Sequence, residues 1–159
     1  MTLFTALFPP EDVVAELHGA LRPVRRAHPR LRWTDPARWH VTVGFFGDAE
    51  PAEPADQLAG LAGVTAPVLS LRGSGHFSRG DAAGVLWIGV AGPLDGLGRA
   101  AAGVPADWRP HLTVARGAPL PRVDFVGREW TAAEVALVLS RPGADYVVLD
   151  RVPLTTPNG

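Results

Sequence analysis

Two stretches decide how this chain is read: WHVTVG at residues 39–44 and PHLTVA at residues 110–115. Each places a histidine, an apolar residue, a threonine and a valine in the same order. The second lies 71 residues after the first, close to half of the 159-residue chain. Such an internal echo points to two similar halves, each donating one strand. At this composition a given histidine is followed by x-Thr-Val roughly six times in a thousand. Two of the five histidines carry it here. Counting alone does not settle the matter, but strand geometry adds to it. Side chains alternate between the two faces of a strand. His40 and Thr42 therefore share one face, and Val41 and Val43 the other. The same division separates His111 and Thr113 from Leu112 and Val114. Each strand has an apolar face for a core and a His/Thr face for something else.

Working outward, residues 2–8 (TLFTALF) read as a short buried strand broken by Pro9 and Pro10. Glu11 and Asp12 suit a helix N-terminus, where the macrodipole favours negative charge. Val13, Val14, Leu17 and Leu21 follow at helical spacing, with Pro23 expected to end or kink the helix. Further strands are expected at 31–33, 39–46, 67–72, 84–90 and 109–116, the third and fourth joined by a long Gly-rich hairpin. Short helices are expected near 54–61 and 93–101. Residues 133–140 and 145–152 read as a closing antiparallel pair. Many strands are joined by turns rather than helical crossovers, which favours an α+β fold with antiparallel sheets.

Composition narrows the chemistry. Apolar residues make up 47% and charged residues 19%, the balance of a folded globular chain. There is no cysteine, which excludes disulfides, thiolate metal sites and thiol nucleophiles. No leader-like segment is read at the start, and no apolar run approaches the roughly 18 residues of a membrane span, so a cytoplasmic protein is expected. The net charge of −1 does not describe a globally basic nucleic-acid binder. All 15 basic residues are arginine, a bias that a GC-rich genome explains. Six of them, Arg22, Arg25, Arg26, Arg30, Arg32 and Arg38, fall within 17 residues opposed only by Asp35. That run is either a solvated face or a phosphate-attracting rim.

If the two strands face one another across a cleft, two imidazoles and two hydroxyls converge there, a constellation that suits phosphoryl chemistry. One imidazole takes a proton from water while the other donates one to the leaving oxygen. The hydroxyls stabilise charge on the non-bridging oxygens. A two-His metal site is the chemical competitor, but no carboxylate or third histidine is spaced as a further ligand, so no metal and no cofactor are expected. His18, His28 and His76 read as structural or exposed, with His76 in a Gly-rich turn. Trp39 and Trp108 neighbour the motifs and are expected to shape the cleft walls.

The motifs His40-Val-Thr-Val-Gly-Phe-Phe-Gly47 and Arg109-Pro-His-Leu-Thr-Val-Ala-Arg116 resemble the paired H-x-[ST] signatures of the 2H phosphoesterase superfamily. The chain looks most similar to the bacterial RNA 2′,3′-cyclic phosphodiesterases, also called 2′-5′ RNA ligases. The resemblance covers nearly all of residues 1–159 and implies one domain. That domain is α+β and bilobal, with two pseudo-symmetric lobes of antiparallel sheet, outer helices and a central cleft. It implies metal-independent opening of RNA 2′,3′-cyclic phosphate ends to 2′-phosphates, with His40, Thr42, His111 and Thr113 catalytic. His111 is expected as base and His40 as acid. Phe46, on the alternation face of His40, is expected to stack on a base, Arg116 to meet a phosphate, and Tyr146 to line the pocket. Alternation alone puts Arg116 opposite His111, so the strand must end or twist there. Thr2 stands where the family often has arginine, and Pro119 and Pro121 disfavour the family's next helix. The implied partner is a cyclic-ended RNA or a cyclic nucleotide, with a monomer and no membrane expected. The alternatives are a hydrolase of a small cyclic phosphate (a nucleotide or ADP-ribose derivative) and a non-catalytic nucleotide or RNA-end binding module.

Overall fold

The computed structural model describes residues 1–79, 82–100 and 109–156. The expected α+β architecture is present. Among these residues one antiparallel sheet contains strands β1 (Thr2–Leu7), β2 (Arg32–Trp33), β3 (Val41–Gly47), β4 (Val68–Arg79), β5 (Ala82–Ala91), β6 (His111–Gly117), β7 (Trp130–Thr131), β8 (Glu134–Ser140) and β9 (Val147–Pro153). Helices α1 (Glu11–Ala27), α2 (Ala52–Ala59) and α3 (Asp95–Ala100) and a 3-10 turn at Pro36–Arg38 complete the chain. The strand order is β7-β4-β5-β6-β3-β1-β8-β9, with β2 pairing β6 off this path.

The order falls into two lobes. One holds β1, β3, β8 and β9; the other holds β4, β5, β6 and β7. They meet where β3 and β6 pair through Val41 and Leu112, each the residue after a motif histidine. Extending that antiparallel register by one step sets Thr42 across from His111 and His40 across from Thr113. The seam of the sheet is therefore where both motifs converge.

One face of the sheet is covered by helices. Val13, Leu17 and Leu21 of α1 and Leu58 of α2 share a core with Val41, Val43, Leu112 and Val114. These are the apolar faces expected of the two motif strands. On the opposite face Phe4, Ala6, Ala136 and Val138 form a smaller cluster against Phe8 and Tyr146.

Three local expectations change. Helix α1 runs through Pro23 to Ala27, because Val24 still packs against the core and the apolar stripe outweighs the roughly 3 kcal/mol that an interior proline costs. The Gly-rich stretch after residue 72 is strand rather than loop, and His76 sits exposed on β4 opposite Leu86 instead of in a turn. Gly75 explains part of this: a Cβ there would lie 2.2 Å from the Trp87 ring, so glycine lets that indole lie across the strand. Trp39 is buried in the core, edge-on to His18 at 6.3 Å, rather than on a cleft wall. Trp108 lies outside the described residues. Among the described residues no helix follows the second motif, in keeping with Pro119 and Pro121.

Candidate active site

His40, Thr42, His111 and Thr113 line one open cleft of about 670 Å³. Thr2, Phe4, Arg32, Trp33, Arg38, Phe45, Arg116, Ser140 and Tyr146 also contribute to its walls. The four motif residues that the sequence singles out are thus brought together, with Arg116 and Tyr146. Phe46 is not.

The correction at Phe46 has a local cause. β3 pairs β1 with Ala6 opposite Thr42 but Thr5 opposite Gly44, so one residue is extra at Val43–Gly44. A bulge of this kind reverses the alternation beyond it. Val43 and Gly44 are both buried, and Phe45 takes the cleft side in place of Phe46. β6 does the same against β5, where Leu86 faces Ala115 but Trp87 faces Thr113. Val114 and Ala115 are both buried and Arg116 emerges into the cleft, which supplies the twist its position demanded.

Both imidazoles are held alike. His40 Nδ1 lies 2.8 Å from the carbonyl oxygen of Arg38, and His111 Nδ1 lies 2.8 Å from that of Arg109. A carbonyl only accepts, so Nδ1 carries the proton in each ring and Nε2 is the free nitrogen. Nε2 can then accept a proton when the ring is neutral and donate one when it is charged.

Their surroundings differ. His40 packs on Phe4 at 4.8 Å and edge-on to Tyr146 at 5.6 Å. Burial there pushes its pKa below the usual imidazole value; the bond to the Arg38 carbonyl opposes this, and the charges of His111 and Arg38 add to it. His111 meets Phe77 edge-on at 5.1 Å and Trp87 at 6.0 Å, on the more open side.

Several cleft residues carried no clear sequence signal. Arg38 places its guanidinium carbon 4.4 Å over the Tyr146 ring, while its Nη2 donates to the Ala144 carbonyl at 3.4 Å. Arg32 stands directly across from Arg116 in the β2–β6 pair, and both line the cleft. Like charges in that position repel, so the pair favours an anion between or above them. The only available hint was the arginine run, whose Arg32 and Arg38 prove to be cleft residues. Among the described residues no three His, Asp or Glu side chains are grouped to hold a metal ion, and no helix is long and apolar enough to cross a membrane.

A two-lobed antiparallel fold with a pair of H-x-T strands facing one cleft defines a phosphoesterase of the 2H type. The LigT-like phosphoesterase family matches residues 7–87, and the chain belongs to that family. The structure of TT0787 from Thermus thermophilus is 30% identical, with a TM-score of 0.71 over 96% of this chain and 97% of that one. The apo form of LigT from E. coli is 25% identical, with a TM-score of 0.69 over 97% of each chain. The same E. coli protein complexed with 3′-AMP superposes with a TM-score of 0.71 at 23% identity, covering 97% of this chain and 98% of that one. No curated protein sequence matches.

Proposed function

We infer that this phosphoesterase hydrolyses 2′,3′-cyclic phosphates at RNA ends to 2′-phosphates, the whole chain acting as one unit in which each lobe supplies one motif. The observation that carries this is the pair of imidazoles with Nδ1 tied back and Nε2 free in a cleft lined by two threonines and three arginines.

The chemistry needs one neutral and one charged ring. Water attacks phosphorus in line with the 3′ oxygen. The more open His111 faces incoming solvent, and its Nε2 removes the water proton as the P–O bond forms. His40, packed among aromatic rings that suit a nucleoside, gives its Nε2 proton to the departing 3′ oxygen. The phosphate stays on the 2′ oxygen. Burial makes His40 hold its proton weakly, which favours donation, and the substrate's negative charge offsets that burial while bound. Thr42 and Thr113 donate hydrogen bonds to the non-bridging oxygens, and Arg38 and Arg116 balance their charge. A 5′-hydroxyl of a second RNA in place of water gives a 2′-5′ linkage by the same step. No residue in this scheme requires a metal. E. coli LigT has been solved with 3′-AMP, a nucleoside monophosphate.

The test is product identification. The protein, in excess EDTA, is given 2′,3′-cyclic AMP, and phosphorus NMR separates 2′-AMP from 3′-AMP. Exclusive 2′-AMP is expected. 3′-AMP would reverse the leaving group, and loss of turnover with EDTA would assign the cleft to a metal.

A further inference from the structure

Beyond the cleft, one surface gathers several arginines around a single aromatic ring. Three exposed arginines of the chain are ion-paired, Arg122 with Asp124, Arg128 with Asp12 and Glu16, and Arg151 with Glu134. None of these lies around Trp33. Arg22, Arg25, Arg26, Arg32, Arg38 and Arg116 form no ion pair among the described residues. Arg22, Arg25 and Arg26 share one exposed stripe of α1, as helical spacing requires, and with Trp33 they line a shallow groove of about 300 Å³. Trp33 also lines the catalytic cleft, so its indole is common to both. The indole Nε1 donates to the His28 carbonyl at 3.1 Å, which fixes the ring between them.

A helix C-terminus by itself accounts for part of this. Arg25 and Arg26 occupy the last turn of α1, where cations complement the macrodipole, and Arg25 also contacts His18 at 2.8 Å. That account stops at the helix. Arg22 lies a turn earlier, and the unpaired charge continues through Arg32 to Arg116 on separate strands, against the repulsion of that pair. A fixed aromatic face flanked by unpaired arginines, continuous with a phosphate-binding cleft, is the arrangement that holds a single strand of nucleic acid.

We propose that the Arg22–Arg25–Arg26–Trp33 groove is a strand-binding track for RNA whose cyclic end occupies the cleft. Trp33 stacks a nucleotide upstream of the reacting one, and the three arginines take the phosphates on its 5′ side. This rests on the phosphodiesterase reading of the cleft. It makes the preferred substrate an oligonucleotide rather than a cyclic mononucleotide.

The experiment compares 2′,3′-cyclic AMP with a hexaribonucleotide ending in a 2′,3′-cyclic phosphate. The proteins are wild type, the triple variant Arg22→Ala/Arg25→Ala/Arg26→Ala, and the charge-keeping triple Arg→Lys variant. In the Ala variant kcat/KM for the hexamer is expected to fall about tenfold to a hundredfold, and the log–log salt slope for the hexamer by about 2, from roughly 0.7 per phosphate lost. Turnover of cyclic AMP stays within about twofold, and the Lys variant recovers most of the hexamer rate. Equal losses on both substrates, or no loss on either, overturn the track. If wild type is inert on both, the cleft reading fails instead. The groove is then judged by anisotropy of a labelled hexamer: affinity lost in the Ala variant supports it, and unchanged affinity overturns it. Binding of the wild type to anionic vesicles, with hexamer affinity insensitive to the substitutions, would give the groove to a membrane surface.

Discussion

From His40 to Phe45 and from His111 to Arg116 the chain does the same thing twice. An arginine carbonyl two residues earlier holds the imidazole Nδ1. A threonine follows on the same face, two buried residues form a bulge, and a side chain re-emerges into the cleft. The small residues Gly44 and Ala115 sit at the two bulges. What differs is the company. The first ring is packed among Phe4, Phe8 and Tyr146, and its strand ends its cleft face on an aromatic. The second has Phe77 and Trp87 beside it, and its strand ends on a cation. A duplicated frame thus holds two imidazoles in the same way, while the sequence around it gives one strand an aromatic end and the other a cationic one.

The strongest way to break this comparison is to remove one ring at a time. His40→Ala and His111→Ala are each expected to lower kcat on a 2′,3′-cyclic nucleotide by at least about a hundredfold. Because the rings act as a unit, the double variant should be little worse than either single one. A substrate with sulfur in place of the 3′ oxygen sharpens the point, since a thiolate leaves without a proton. His40→Ala should regain most of its rate on that substrate and His111→Ala should not. The opposite rescue would exchange the roles of the two halves.

Next come the emergent side chains. Arg116→Ala should raise KM by about tenfold or more, the loss of a charge-assisted contact. Phe45→Ala should cost about fivefold or more if it stacks on a base, whereas Phe46→Ala should leave substrate affinity unchanged. Equal effects at 45 and 46 would contradict the bulge. Gly75→Ala tests the support of the second ring alone. Displacing Trp87 should lower kcat with little change in KM, measured beside a thermal melt to separate it from unfolding.

The arithmetic of strand alternation explains what was legible beforehand and what was not. His40, Thr42, His111 and Thr113 were readable because H-x-T spans only three residues, too short for a bulge to intervene. Phe45 was missed because the bulge lies just beyond Thr42, and nothing in V-G-F-F marks it without the β1 register. Arg116 carried a warning: its motif position and its parity disagreed. Arg32 and Arg38 were visible as charge but not as cleft residues, since only the β2–β6 pairing and the turn at Pro36–Arg38 bring them there. The helix through Pro23 and the strand through Gly73 and Gly75 share one cause, tertiary packing that overrides a local breaker.

The smallest expected effects are in pH dependence. Activity should be bell-shaped, because one ring must be charged and the other neutral. A second proton on the pair is opposed by burial of His40 and by repulsion between the rings, so the acidic limb should lie below the pKa of about 6.5 of a free imidazole. Stability follows the same sign. His40 has a lowered pKa when folded, so its contribution is fully present above about 6.5 and is lost as pH falls toward the folded value. Urea midpoints of wild type and His40→Gln should therefore converge or cross on going from pH 7.5 to 5.5. A wild type that gains stability relative to the variant over that range would contradict the burial.

The most direct test is the rate of 2′,3′-cyclic AMP hydrolysis in EDTA by wild type, both single His variants and the double variant, each confirmed folded by circular dichroism. The account predicts turnover by wild type and near-equal, at least roughly hundredfold losses in all three variants. Activity retained with either imidazole removed would contradict a catalytic pair built from the two halves.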